Sequence, residues 1–342
     1  MRTKLYMIAL AAMTMMLGSC SDSNSEFSQD FLADTPIKLN VSVDEPTTRA
    51  GYSDEDKPTG FALVVLHDTY GANKYNYNVW AEWEDNNWKT YNLKKYSNDR
   101  TKEDVTMLWA NMKNYVTVYA ISDVDYSAEI SDVDYLMSQK IDKHPTDQTT
   151  PDALKKADFL AMPITMVKPT QSGINVEFKH TMSKINLTIE LGSEYEFSKE
   201  DVDLKITDVK IDGSKVKAGY ALNSSTDNPQ FEFDDHYGDP TPITPYRTGT
   251  TPYSKTDGVI TKASATYEAI LIPQTIESGK FIVSFKVDGK LYEWAYNQEL
   301  TLNPTTAYTL KLTAGDDKVQ PVSFSVAAWG KGNGDGEKKE TD

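Results

Sequence analysis

Cysteine is almost missing from this sequence: Cys20 is the only one in 342 residues. A single thiol excludes an intrachain disulfide framework and any cysteine-rich zinc site. Histidine is nearly as scarce. His67, His144, His180 and His236 are scattered, with no pair at helix-face spacing, so neither a zinc site nor a catalytic imidazole has a motif behind it. Basic charge is in deficit too: 35 Lys and Arg stand against 51 Asp and Glu, a formal net charge of -16. Nucleic acid, whose phosphates need a basic surface, is therefore not an expected partner; such acidity suits solubility. The chain also has no Gly-x-Ser-x-Gly elbow, phosphate-cradling loop or dinucleotide fingerprint. Nothing points to an enzyme, a metal or a bound cofactor.

Long apolar runs are limited to one, at the N-terminus. Met1-Arg2-Thr3-Lys4 is a basic start, and the apolar stretch Leu5–Leu17 is too short for a comfortable membrane span. Residues 1–19 read as a secretory signal. Leu17-Gly18-Ser19-Cys20 resembles a bacterial lipobox, in which the Cys is acylated and becomes the first residue of the mature chain. At about 0.8 kcal/mol per buried methylene, two or three acyl chains there suffice for a stable anchor.

Hydrophobic residues make up 39% of the chain and charged residues 25%, enough to bury a core. Residues 21–34 form a polar tether. Ile37-Lys38-Leu39-Asn40-Val41-Ser42-Val43 then alternates strictly, as a half-buried strand does. Pro46-Thr47-Thr48-Arg49-Ala50-Gly51 follows as an exposed extended loop. Strand patterns continue in Phe61–Leu66, a continuous apolar run, in Tyr75–Val79 and in Tyr115–Ile121. Glu82–Glu84 and Trp88–Tyr91 flank an Asp85-Asn86-Asn87 turn and read as a hairpin. Asp152–Phe159, with Pro151 at its start, is the one helix expected.

A boundary is expected near Pro169–Gly173. Short strands follow at Val176–Phe178, Lys184–Leu191, Leu204–Ile211, Ala265–Ile272, Lys280–Val287, Leu291–Tyr296, Tyr308–Leu312 and Val322–Val326. The polar stretch 223–258 reads as a surface excursion. Many short strands with Pro, Gly, Asp and Asn turns predict an all-β protein of two β-sandwich domains. They are expected at 50–169 and 170–330, followed by a polar tail at 331–342.

Few residues stand out as sites. Asp123, Asp125 and Ser127 have the spacing of a calcium loop, but Ala128 replaces its glycine and Asp134 its closing glutamate, which leaves a solvated acidic loop. This loop lies in a five-residue repeat, Ser122–Tyr126 and Ser131–Tyr135, too short to mark a solenoid. Tyr75, Tyr77, Trp80, Trp83, Trp88 and Tyr91 either pack across strands or form a platform for sugar rings. Arg49, in an extended, Pro- and Gly-flanked loop after a strand, suits trypsin-like cleavage before Ala50. Cleavage there would free Ile37, Leu39, Val41 and Val43 from the sheet that holds them. Val322-Ser323-Phe324-Ser325-Val326 alternates beside the C-terminus; it is either a home edge strand or one that reaches a neighbour.

Taken in order, several segments resemble the fimbrillins, the type V pilus subunits of Bacteroidales. They are the lipobox ending at Cys20, Thr48–Gly51, Phe178-Lys179-His180-Thr181-Met182-Ser183-Lys184-Ile185, Ala269–Thr275, Tyr308–Leu312 and Val326-Ala327-Ala328-Trp329-Gly330. Asn303-Pro304 departs from the glycine usual there. The resemblance implies two tandem transthyretin-like sandwiches of Greek-key type. It also implies an outer-membrane lipoprotein precursor with a propeptide at 20–49. Cleavage after Arg49 by an Arg-specific protease would remove the lipid and the first strand, and the vacated groove would take the C-terminal strand of another copy, with Val322, Phe324 and Val326 as donor residues. Its partners are then other copies and related pilins, the protease and, through the lipid, the outer membrane. A cleavable Arg and a C-terminal extension lean toward a stalk or intermediate subunit in an adhesive fimbria. The alternative is a permanently anchored glycan-binding lipoprotein that stacks sugars on Trp80, Trp83 and Trp88.

Overall fold

Short runs of β-branched and aromatic residues, broken by Asp, Asn, Gly and Pro, make strand the dominant element among the described residues. The computed structural model describes residues 33–44, 52–53, 56–67, 74–94, 96, 100–122, 138–141, 144–195, 205–222, 231–234, 236–315, 318–329 and 337–339. The signal segment 1–19, Cys20, Arg49, Ala50 and the acidic loop 123–134 lie outside the described residues.

The chain begins with β1 (Leu39–Val43), β2 (Gly60–Leu66), β3 (Tyr77–Glu84), β4 (Asn87–Asn92), β5 (Val116–Ser122) and β6 (Ser138–Ile141). Helix α1 (Pro151–Ala157) precedes β7 (Leu160–Val167), β8 (Ile174–His180) and β9 (Ser183–Leu191). Then come β10 (Ile206–Asp212), β11 (Ala218–Leu222), β12 (Phe231–Asp234), β13 (Tyr246–Thr251), β14 (Ser254–Thr256), β15 (Val259–Thr261), β16 (Ser264–Leu271) and β17 (Gln274–Ile276). The last are β18 (Ile282–Val287), β19 (Lys290–Ala295), β20 (Leu300–Leu302), β21 (Thr306–Ala314), β22 (Val319–Ala328) and β23 (Glu337–Lys339).

Seven strands form one sheet in the order β1-β8-β7-β5-β2-β3-β4. Its interior strand β2 is buried on both faces, which is why Phe61–Leu66 carries no polar alternation. Phe61, Leu63 and Val65 enter one core, Ala62 and Val64 another. The β3–β4 hairpin turns on Asp85 and Asn86, with φ of 52° and 61°, the left-handed pair that a two-residue hairpin turn needs and that Asp and Asn tolerate. Helix α1 starts as expected: Thr150 Oγ1 accepts the Ala153 N–H at 3.2 Å, and Pro151 follows. It ends at Ala157, short of the expected Phe159, where Asp158 turns inward to His180.

The expected boundary at 169/170 is a turn inside this first sheet. Residues 168–173 connect β7 to β8, which pair antiparallel, and the chain leaves the sheet only at Thr181–Met182. A Pro/Gly turn signal marks a hairpin as readily as a domain border. Beyond it, a six-stranded sheet, β13-β16-β9-β21-β22-β23, faces the β10-β18-β19 sheet and the β17-β20 pair. Ile185, Leu187 and Ile189 of β9 meet Val283 and Phe285 of β18 and Leu310 of β21 in their shared core. A third small sheet, β12-β11-β6, joins a strand of the first half to two of the second. With α1 it covers the outer face of the first sheet, Tyr220 and Leu154 meeting Val64 and Ile121.

Two further expectations change. The stretch 223–258, read as a surface excursion, holds β12, β13 and β14, and Phe231 is buried; its apolar residues are too sparse to announce strands. Within the polar tail, β23 pairs antiparallel with β22.

Candidate functional site

The N-terminal strand closes the first sheet. Val41 and Val43 are buried with Phe61, Val118, Val176 and Phe178, while Ile37 and Leu39 are half-buried against the same core. Among the described residues β1 has one strand partner, β8, to which it runs parallel from Leu39↔Ile174 to Val43↔Phe178. The Ile174 N–H donates to the Lys38 carbonyl and the Asp44 N–H to the Phe178 carbonyl, both at 2.8 Å. Gly173 (φ 90°) sits so close that a Cβ there would lie 2.2 Å from the Lys38 oxygen. Only glycine admits both the backbone angle and the approach of β1.

Just before β1 the chain crosses to the other end of the sheet. Asp34 N–H donates to the Trp109 carbonyl (2.8 Å), Trp109 N–H to the Thr35 carbonyl (3.0 Å) and Ile37 N–H to the Met107 carbonyl (2.8 Å). The 103–105 segment in turn bonds β4, through Val105 N–H to Thr90 O and Asn92 N–H to Glu103 O. Residues 34–44 thus staple β8, next to the edge at one end of the strand order, to the segment that extends β4 at the other. Lys57 Nζ donates to the Val41 carbonyl at 2.7 Å. A groove of about 1150 Å³ runs alongside, lined by Ile37, Leu39, Lys57, Trp83, Trp88 and Met107 among others. Taking the staple away would expose Val176 and Phe178, leave the β8 edge unpaired and open the core.

The C-terminal strand β22 is at home in its own chain, antiparallel to β21. Phe324 is buried between Tyr296 (5.2 Å) and Tyr308 (6.1 Å), and Val326 is half-buried on the same core. The strict alternation expected of Val322, Phe324 and Val326 does not hold. A register shift opposite Lys311/Leu312 puts Val322 outside the pairing, and it is 53% exposed. A bulge reverses which way neighbouring side chains point. β23 pairs only with Phe324–Val326, so no strand covers the outer edge of Val319–Ser323 among the described residues.

The segments Phe178–Ile185, Ala269–Thr275 and Val326–Trp329 come together where the two halves meet. Trp329 stacks on His180, ring centroids 4.2 Å apart and 10° from parallel. His180 Nδ1 lies 2.9 Å from Asp158 Oδ1, and the Tyr52 N–H donates to Asp158 Oδ2 at 3.3 Å. Behind Trp329, buried Lys184 pairs with Glu268 at 3.0 Å. Burial pushes the Glu268 carboxyl up, and Lys184 opposes that. His144 Nε2 and Gln148 Nε2 both donate to the Ile270 carbonyl, each at 2.7 Å. Complete burial lowers the His144 imidazole to about 4. These are packing and positioning groups, and nothing in their arrangement supplies a nucleophile beside a base. Asp158 and Tyr52 carried no sequence signal; Trp329 did, through its terminal motif.

Most of the aromatic cluster is core. Tyr77 and Tyr91 are buried, and buried Trp80 stacks on Tyr96 at 4.6 Å. Trp88 packs edge-on to Phe61 at 4.9 Å. Trp83, 45% exposed, leans on Trp88 across the hairpin. One exposed ring against its cross-strand partner is a packing arrangement.

The first two solved structures to which the chain is similar are both described as cell adhesion proteins. One, from Bacteroides ovatus, is 12% identical with a TM-score of 0.54, covering 87% of this chain and 98% of the other. The second, from Bacteroides uniformis, is 15% identical with a TM-score of 0.51, covering 86% and 98%. At such identity the likeness is one of fold. No curated protein matches the chain. A family model described as fimbrillin-like matches residues 48–329. The match runs from β2 through β22 and leaves β1 and β23 outside, and on its strength this chain belongs to the fimbrillin-like family.

Proposed function

We propose that this protein is a pilus subunit made as a lipoprotein precursor acylated at Cys20 and activated by an Arg-specific protease that cuts between Arg49 and Ala50. Its two halves act as tandem sandwich domains of transthyretin-like type. Cleavage releases residues 20–49, and with them Ile37, Leu39, Val41 and Val43. The C-terminal strand of another copy, with Val322, Phe324 and Val326, then fills the groove.

The staple made by residues 34–44 is the observation that carries this reading. Its strand is an edge strand held by one neighbour and lies ahead of Arg49, so one cut frees it without severing any other element. An unpaired β8 edge over an open core is a template for strand addition. Val322 adds support, since an aliphatic side chain exposed in the middle of the home strand is available to a neighbour. The resulting contact is heterologous and does not close, which yields a filament.

The test is Arg49→Ala, followed by N-terminal sequencing of the surface protein. The wild type is expected to start at Ala50, and the variant to remain a lipidated monomer with a blocked Cys20. Normal polymer from Arg49→Ala would rule out proteolytic activation.

A further inference from the structure

Resting on the donor-strand reading above, we propose that two exposed apolar patches, Val259–Ile260 and Tyr115–Met166, meet at every joint between successive subunits. The joint is then a surface contact as well as an inserted strand.

The first patch is a projecting arm. β13 and β16 form a hairpin whose distal part, β14–β15, pairs only with itself among the described residues and turns on Asp257-Gly258, φ 49° and 81°. Two-stranded hairpins are marginal alone in water. Val259 and Ile260 are adjacent in one strand, so they point to opposite faces, yet they are 67% and 55% exposed. The second patch lies on the first sheet. Thr117 of β5 pairs with Met166 of β7, so Tyr115 and Met166 share a face as diagonal neighbours, 53% and 64% exposed. An arm apolar on both faces and a neighbouring Tyr–Met pair on the first sheet are the apolar surface this reading assigns to contact.

Register fixes where each patch sits, and the donor-strand reading makes the partner a second copy of this chain. The two sheets share a junction at His180–Ser183, where Trp329 also packs. At the end of the second sheet remote from it, Ala314 is opposite Leu191, Ser264 opposite Glu190, and the arm leaves from Thr251 and Ser264. The turn into β22 is at the same end, closed by the Gly315 N–H to the Lys318 carbonyl at 2.9 Å. A β22 swung out about this turn therefore reaches a neighbour at the end where the arm projects.

The groove has a matching polarity. Its Leu39 end lies with Ile174, Val167 and Val116 at the remote end of the first sheet, beside Tyr115 and Met166. Its Val43 end abuts Phe178 and the junction. An incoming strand enters at the Leu39 end, Ala328 deepest, and runs parallel to β8 as β1 does. The four residues 315–318 span at most about 14 Å, so hinge and groove mouth cannot separate further. The end of one copy from which the arm projects is thereby held close to the mouth of the next.

The trimmed chain from Ala50 contains no cysteine, so an engineered pair reports proximity cleanly. Met166→Cys combined with Ile260→Cys should give a reductant-sensitive covalent ladder when growing polymer is oxidised. V259D/I260D, and separately Y115D/M166D, should slow growth at least tenfold while leaving melting temperature and binding of a synthetic 319–329 peptide unchanged. Growth of the aspartate variants at the wild-type rate, or polymer without a ladder, overturns the joint while the strand reading stands. A wild-type trimmed chain that fails to bind the peptide overturns the strand reading, and the joint with it.

Discussion

Weakening β1 without cutting the chain should loosen one edge and little else. In the uncut precursor, Val41→Ala with Val43→Ala removes two methyl groups from each of two buried side chains. At about 0.8 kcal/mol per methylene-sized group, plus the cavity left behind, each change costs about 2 kcal/mol and the pair about 4. Because β1 has a single strand partner, that loss falls on its docking equilibrium. The undocked population rises about a thousandfold. Native-state hydrogen exchange reads this directly: the Ile174 amide, bonded to the Lys38 carbonyl, should lose about three orders of magnitude of protection. Amides of the central strand β2 should keep theirs. Equal loss in β2 would mean that β1 is an integral part of the global fold, and no loss at Ile174 would mean that it is not held by these valines.

Three other outcomes are expected. Phe324→Asp should destabilise the subunit itself by at least about 3 kcal/mol, since Phe324 is core at home; Val322→Asp should leave the monomer melting temperature within a degree or two yet stop chain growth. Wild-type growth by Val322→Asp would remove Val322 from the donor set. Trp329→Ala strips the ring from His180 and should raise exchange in β22 more than in β9; equal increases would show that Trp329 holds the whole junction rather than the strand. Acid should weaken the fold through His144. Its folded value is about 4 against about 6.5 unfolded, so its contribution is complete above pH 6.5 and is lost as pH falls toward 4. Chemical denaturation across that window should show a slope that His144→Gln flattens; an unchanged slope would assign it elsewhere.

Local pattern carried the elements whose surroundings are local. Asp85-Asn86 turned where turn chemistry put it, β2 lacked alternation because it is covered twice, and Val41 and Val43 alternate because one face of β1 is buried. Patterns failed where a distant partner decides. The register shift beside Val322 is set by β21 and leaves no trace in Val322–Val326 itself. Residues 169–173 look like a linker but form a tight turn whose Gly173 accommodates Lys38, more than a hundred residues earlier in the chain. The Tyr52–Asp158–His180–Trp329 series assembles from four separate stretches, so no spacing rule could reveal it. The staple function of residues 34–37 was hidden for the same reason: their partners, Met107 and Trp109, belong to a segment without strand alternation.

The most direct measurement compares two forms of one protein: the intact precursor and the form trimmed to Ala50, each titrated with a labelled peptide of residues 319–329. Slowly dissociating complex with the trimmed form alone, abolished by adding back a peptide of residues 34–44, is the predicted result. Binding that is equal in both forms, or absent from both, would contradict a groove guarded by the first strand.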